Sequence, residues 1–206
     1  MNPRNKANQQ RRTQILEAAL RVFAEKGFFG ARTDDIAREA GVSKGLLYWY
    51  FESKDAILLA LLERLFEPDL EALEHLVAQK ERSARERLLN LAQQALGSFP
   101  EIEMARKVAY EYYALASRPG PVREALQRYY RRYRDLLATL IAQGVERGEW
   151  RVDNPRELAT TWLAQFEGLW LMHVVMPEEV DLPKMWMKLA HRLLRLLDLP
   201  QESEES

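Results

Sequence analysis

The chain has 206 residues with 30 basic and 31 acidic side chains, and 47% of it is hydrophobic, an ordinary balance for a globular fold of one large domain or two small ones. It holds no cysteine, which excludes disulfides, thiolate metal sites and cysteine nucleophiles together. No run approaches the roughly 18 apolar residues of a membrane span, and the polar, basic start from Asn2 to Arg12 lacks the apolar stretch of a secretion signal, so a cytoplasmic protein with no membrane partner is expected.

The pattern predicts an all-α fold. The first helix is expected from about Gln10 to Lys26, with Ile15, Leu16, Ala19, Leu20, Val22 and Phe23 on one face and Gly27 as its C-cap. After a short link at Phe28, Phe29 and Gly30, Thr33 is expected to cap a brief helix through Ala40, where Asp34 and Asp35 suit the positive N-terminus. Gly41 ends it. Ser43 then caps a second short helix holding Leu46 to Phe51, and Ser53 caps a long helix from Lys54 that Pro68 would bend.

Longer helices follow: Ala84–Leu96, Glu101–Ala116 and Val122–Arg147, the last with Val122, Leu126, Tyr129, Tyr133, Leu137, Leu140 and Ile141 at three- and four-residue spacing. Asn154 with Pro155 marks a further start, as does Asp181 to Pro183, which opens a final helix to about Leu197. The expected organisation is a three-helix head over residues 1–53, a long connecting helix leading into a helical-bundle body over 54–200, and a disordered acidic tail over 201–206.

The stretch from Thr33 to Phe51 carries most of the functional information. Two helices of about two turns joined by a tight glycine turn match the helix-turn-helix motif. Ile36, Ala37, Ala40, Val42, Leu47 and Phe51 supply the packing face, which leaves Lys44, Gly45, Leu46, Tyr48 and Trp49 on the outer face of the second helix. A helix of this kind enters the major groove by its N-terminal end. Lys44 suits a phosphate or guanine O6/N7, Gly45 permits close approach, Tyr48 can donate to a phosphate, and Lys54 stands at a helix start where backbone N–H groups attract anions. Arg32, Thr33 and Ser43 flank this surface and complete the expected DNA-binding set. Tyr50 reads with Phe51 as core rather than contact. Charge agrees with a polyanion at this end: residues 1–54 hold ten basic and six acidic side chains, a surplus of four within a chain whose net charge is −1.

These residues resemble the TetR family of transcriptional regulators. The match lies in Ile15-Leu16-Glu17-Ala18-Ala19, Phe23-Ala24-Glu25-Lys26-Gly27, Thr33, Ile36-Ala37, Ala40-Gly41-Val42-Ser43-Lys44-Gly45, Leu47-Tyr48, Tyr50-Phe51 and Ser53-Lys54, about the first quarter of the chain. The resemblance implies a homodimer whose two heads read half-sites of a near-palindromic, double-stranded operator. It also implies a body with an effector pocket and a dimer face, and repression as the default. Leu46 departs from the family pattern, which carries threonine or another small residue there; an apolar contact, such as a thymine methyl, replaces a hydrogen bond.

In the body, two helices are apolar on too many sides for a surface position: Leu158, Ala159, Trp162, Leu163, Phe166, Leu169, Trp170 and Val174 on one, Met185, Trp186, Leu189, Ala190, Leu193, Leu194 and Leu197 on the other. Helices of this type are covered on both sides, and Leu163, Trp170, Trp186, Leu189 and Leu193 are the expected dimer interface. Aromatic stripes at helical spacing are often plain core, but Tyr110, Tyr113, Tyr133, Trp162 and Phe166 exceed what a core requires and are the expected lining for a small apolar or aromatic effector. Glu111 and Glu167 stand beside them, facing solvent or an arginine, or receiving a cationic ligand. Catalysis finds no support: His75, His173 and His191 are scattered, and the chain has no HExxH, GxSxG, Walker or GxGxxG motif. No catalytic residue, metal or cofactor is expected. Two other readings stand beside a regulator, a helical adaptor that binds protein only and an architectural DNA binder without ligand control.

Overall fold

The computed structural model describes residues 3–97 and 112–197, and among them every regular element is a helix. They are α1 (Pro3–Gly30), α2 (Thr33–Glu39), α3 (Lys44–Tyr50), α4 (Lys54–Ala78), α5 (Ala84–Gly97), α6 (Pro121–Glu146), α7 (Pro155–Val175) and α8 (Leu182–Leu196), and residues 112–116 are also helical. The tail 201–206 and most of the Glu101–Ala116 stretch lie outside the described residues.

Local chemistry explains most boundaries. Gly27 breaks α1 with φ 72° and ψ 161°, and one further turn follows it. Ser43, Ser53, Asn154 and Asp181 each accept from a backbone N–H three residues on, from Leu46, Ala56, Glu157 and Lys184 respectively. Each satisfies one of the orphan donors of a helix start. Thr33 does not act as a cap. Arg32 occupies that position with extended backbone, and the Asp35 carboxylate reaches back to the Arg32 N–H at 3.2 Å.

Contacts divide the described residues into two compact units, one of 3–67 with 112–128 and one of 68–97 with 129–197. The division runs through α4 at Pro68, not at the start of that helix. The first unit buries Ile15, Leu16, Ala19, Phe23, Ile36, Leu47, Phe51, Ile57, Leu58 and Leu61, the apolar stripes of α1 to α4 turned inward.

The second unit is built around Leu73, Leu88, Leu137, Leu140, Ile141, Trp150, Ala159, Trp162, Leu193 and Leu194, with α8 packed on α5 and α7. Arg87 lies within it at 0% exposure. Its guanidinium donates to the Leu76 carbonyl at 3.2 Å and to Gln143 Oε1 at 2.6 Å, and Gln143 donates to the Val77 carbonyl at 3.3 Å. Leu76 and Val77 belong to the last turn of α4, whose carbonyls have no partner within the helix. Burial pushes the Arg87 pKa down. Glu149 caps the neighbouring helix from outside, accepting from Ala84 N–H at 2.8 Å, Arg85 N–H at 3.0 Å and Arg147 Nε at 2.8 Å. The Trp150 indole donates to the Ile141 carbonyl at 3.0 Å and lies so close to Gly144 that a Cβ there would stand 2.1 Å from its ring.

Candidate nucleic-acid interface

The α2–α3 pair is held by a turn that needs a glycine. Gly41 adopts φ 61°, a left-handed conformation that costs other residues about 1–2 kcal/mol. The Val42 N–H closes the turn on the Ala37 carbonyl at 2.9 Å, and Gln14 of α1 donates to the Ala40 carbonyl at 2.7 Å. Ile36, Ala37, Ala40 and Leu47 are buried between the helices. Side chains on α3 opposite Leu47 therefore face outward.

Lys44, Gly45, Leu46, Tyr48 and Trp49 form that outer face, with Trp49 at 67% exposure. Lys44 and Tyr48 are four residues apart and share a side of the helix. Each is held from the start of α2: Lys44 Nζ lies 2.7 Å from Asp34 Oδ1, and the Tyr48 hydroxyl lies 3.2 Å from Thr33 Oγ1. The Asp34 hydrogen bond and charge raise the Lys44 pKa. A Cβ on Gly45 would meet nothing within 4 Å, so packing among the described residues does not require glycine there. Arg32 and Ser43 are exposed beside this face. Phe51 is buried, while Tyr50 is half-buried with its hydroxyl on Asn8 Oδ1 at 3.3 Å and its ring edge-on to Trp49.

Lys54 is placed differently from expectation. Its ammonium donates to the Phe28 and Ala31 carbonyls at 2.6 and 2.9 Å and sits 4.4 Å from the centre of the Phe28 ring. It fastens α4 to the α1–α2 link, because two backbone carbonyls that would otherwise lose their partners on burial attract a cation strongly.

The body residues divide as well. Trp162 is core, Tyr133 and Phe166 are half-buried against that core, and the Phe166 ring packs 4.5 Å from Trp186. Tyr113 is 39% exposed and belongs to the other unit. Tyr110 and Glu111 lie outside the described residues, and Glu167 is half-buried. Among the expected interface residues, Trp170, Trp186 and Leu193 are already buried within the single chain, and Leu163 and Leu189 are half-buried. Trp186 even donates its indole N–H to the Ala92 carbonyl at 3.1 Å. The uncovered apolar side of these helices carries Leu171, Met172, Val175, Met185 and Leu196 instead. All-round hydrophobicity signals two covered sides but does not say which faces the chain's own core.

No helix among the described residues is long and apolar enough to cross a membrane. Residues 15–61 match the model for bacterial regulatory proteins of the TetR family, and residues 84–198 match that for the C-terminal part of BetI-type transcriptional repressors. The transcriptional regulator BetI of Escherichia coli is 31% identical over 90% of each chain. A transcriptional regulator of Pseudomonas aeruginosa shares the fold with a TM-score of 0.81 at 22% identity, over 96% of this chain and 92% of that one. A regulator from Saccharomonospora viridis, solved in complex with choline, superposes with a TM-score of 0.75 at 26% identity, over 91% of this chain and 96% of that one. With a helix-turn-helix head matched by one model and more than half of the chain by the other, the protein is a DNA-binding transcriptional regulator belonging to the TetR family.

Proposed function

We propose that the protein is a cytoplasmic homodimeric repressor that reads a near-palindromic operator through α3 of each copy and leaves it when a small molecule binds the body. The observation that carries the DNA reading is the pairing of Lys44 and Tyr48 on one exposed face of a Ser43-capped helix, each oriented by a residue of α2. Lys44 contacts phosphate, Tyr48 donates its hydroxyl to another, and Leu46 with Trp49 offers apolar surface to base edges and sugars. Lys44→Ala and Tyr48→Phe should each weaken binding to a duplex selected from a random pool, with helicity unchanged. Parental affinity in both variants would sink this assignment.

The effector is a small apolar or aromatic molecule, and the half-buried rings of Tyr133 and Phe166 are the described surfaces best suited to it. A ligand acts only through a difference in affinity between the DNA-competent and released states, ordinarily about 1–3 kcal/mol for such coupling. The choline complex of the S. viridis regulator favours a second reading, a quaternary ammonium held by aromatic faces. Titration of the protein–DNA complex with choline and with its uncharged carbon isostere separates the two, since an apolar site accepts the isostere and a cation site rejects it.

A further inference from the structure

Two adjacent acids at the start of α2 have different surroundings. Asp35 is turned inward, 16% exposed at its side chain, and bonds the Arg32 N–H, Lys26 at 3.0 Å and Arg38 at 2.6 Å. Lys26 above all, then the Arg32 N–H, lowers its pKa. That carboxylate fulfils what the N-terminus of a short helix asks of an acid. Asp34 does none of this. Its side chain is 61% exposed, and its carboxylate meets the Lys44 ammonium on the same outward surface that carries Tyr48.

We propose that Asp34 is a resident stand-in for phosphate that occupies Lys44 in the free protein and must be displaced by DNA. The inference rests on the reading that Lys44 contacts the DNA backbone. A free lysine that neutralises a phosphate releases condensed counterions from the duplex and supplies about one unit of salt dependence. A lysine that arrives already paired exchanges one anion for another, and leaves a carboxylate facing the phosphates it has just approached. Non-specific binding has essentially no other source of affinity, so it bears this penalty in full. Operator binding bears the same penalty but also draws on base contacts that Asp34 does not touch, so it stays tight where non-specific binding becomes weak. Asp34 thereby keeps the head from adhering to bulk DNA.

The test compares the full-length protein with Asp34→Asn, Asp34→Glu, Lys44→Ala and the Asp34→Asn/Lys44→Ala double variant. Each is titrated across a salt series against a random-sequence duplex and against the duplex selected by the parent. Asp34→Asn should bind both duplexes several-fold more tightly at low salt and steepen their salt slopes by about one. Asp34→Glu, which keeps the charge, should resemble the parent, and the gain should shrink when Lys44 is absent. Unchanged or weaker random-duplex binding by Asp34→Asn overturns the inference, as does an equal gain in the double variant. Should Asp34→Asn melt early, Asp34→Ser, which retains an acceptor for the first turn, carries the same comparison. Lys44→Ala with parental affinity for both duplexes means the underlying DNA reading has failed. Weak binding by Lys44→Ala beside an unaltered Asp34→Asn means that only this inference has.

Discussion

The carboxylate of Glu149 leaves the end of α6 to sit on the first amides of α5, and its titration follows from that position. Burial pushes its pKa up, but the hydrogen bonds from Arg85 and Ala84 N–H and from Arg147 outweigh it, and the net direction is down from 4.5. A carboxylate whose folded pKa is depressed binds protons more readily when unfolded, so its contribution to stability is complete above its unfolded value. That contribution is lost as pH falls through the lower, folded value. Denaturant midpoints of the parent should therefore fall below about pH 4.5 more steeply than those of Glu149→Gln. At neutral pH, Glu149→Gln should be the less stable of the two, because an amide is a weaker acceptor for three donors. Parallel pH profiles would show that the capping bonds hold no charge-dependent stability.

At the scale of elements, two helical glycines with opposite surroundings make a sharp comparison. Glycine inside a helix costs about 1 kcal/mol relative to alanine. Gly144→Ala would gain that amount on α6 but would drive a methyl into the buried Trp150 ring, and such overpacking costs about 1–3 kcal/mol or more. A net loss of stability is expected, read as a lower melting temperature. Gly45 has open space around it, so Gly45→Ala should leave stability unchanged or raise it slightly, while a methyl on the groove-facing side of α3 should weaken operator affinity. Tight operator binding by Gly45→Ala would place the duplex farther from α3 than the motif requires.

The contrast between Ser43 and Thr33 shows which parts of this architecture were legible in the sequence. Ser43, Ser53, Asn154 and Asp181 cap their helices because a short oxygen side chain needs only its own neighbours to do so. Thr33 had the right chemistry but not the position: Asp35 bonds the Arg32 N–H instead, and the Thr33 hydroxyl is spent on Tyr48, fifteen residues away. Lys54 and Asp34 follow the same rule. Their partners, the Phe28 and Ala31 carbonyls and the Lys44 ammonium, come from other elements, and no local pattern announces a pairing set by tertiary packing. The outward face of α3 could be read because Leu47 and the small residues of α2 fix the inward one.

The whole molecule should assemble through the apolar surface its single chain leaves uncovered. Gly168, Leu171, Met172 and Val175 recur on one side of α7, and Met185 and Leu196 are exposed on α8. Apolar side chains left exposed together are a natural interaction surface, and an isologous pairing of α7 and α8 with their copies would cover them. Leu171→Glu combined with Val175→Glu should convert a species of two 24.1 kDa chains into soluble monomers, as measured by light scattering. The same charge at Trp170 or Leu193, both buried within one chain, should unfold the protein instead. A parental mass of one chain at micromolar concentration rules out the dimer, and with it the spacing of two reading helices by about 34–36 Å that successive major grooves require.

The distribution of indoles turns the protein into its own optical probe. Four of the five tryptophans, Trp150, Trp162, Trp170 and Trp186, are buried in the second unit, while Trp49 stands 67% exposed on the outer face of α3. Emission therefore divides by colour and by access, with a red-shifted component quenched by aqueous iodide and a blue-shifted one that iodide does not reach. Operator DNA should shield the first and leave the second alone, whereas an effector seated beside Phe166 should perturb the second through Trp186, 4.5 Å away. One cuvette thus follows both arms of the regulatory cycle without a label, and Trp49→Phe should silence the DNA channel only.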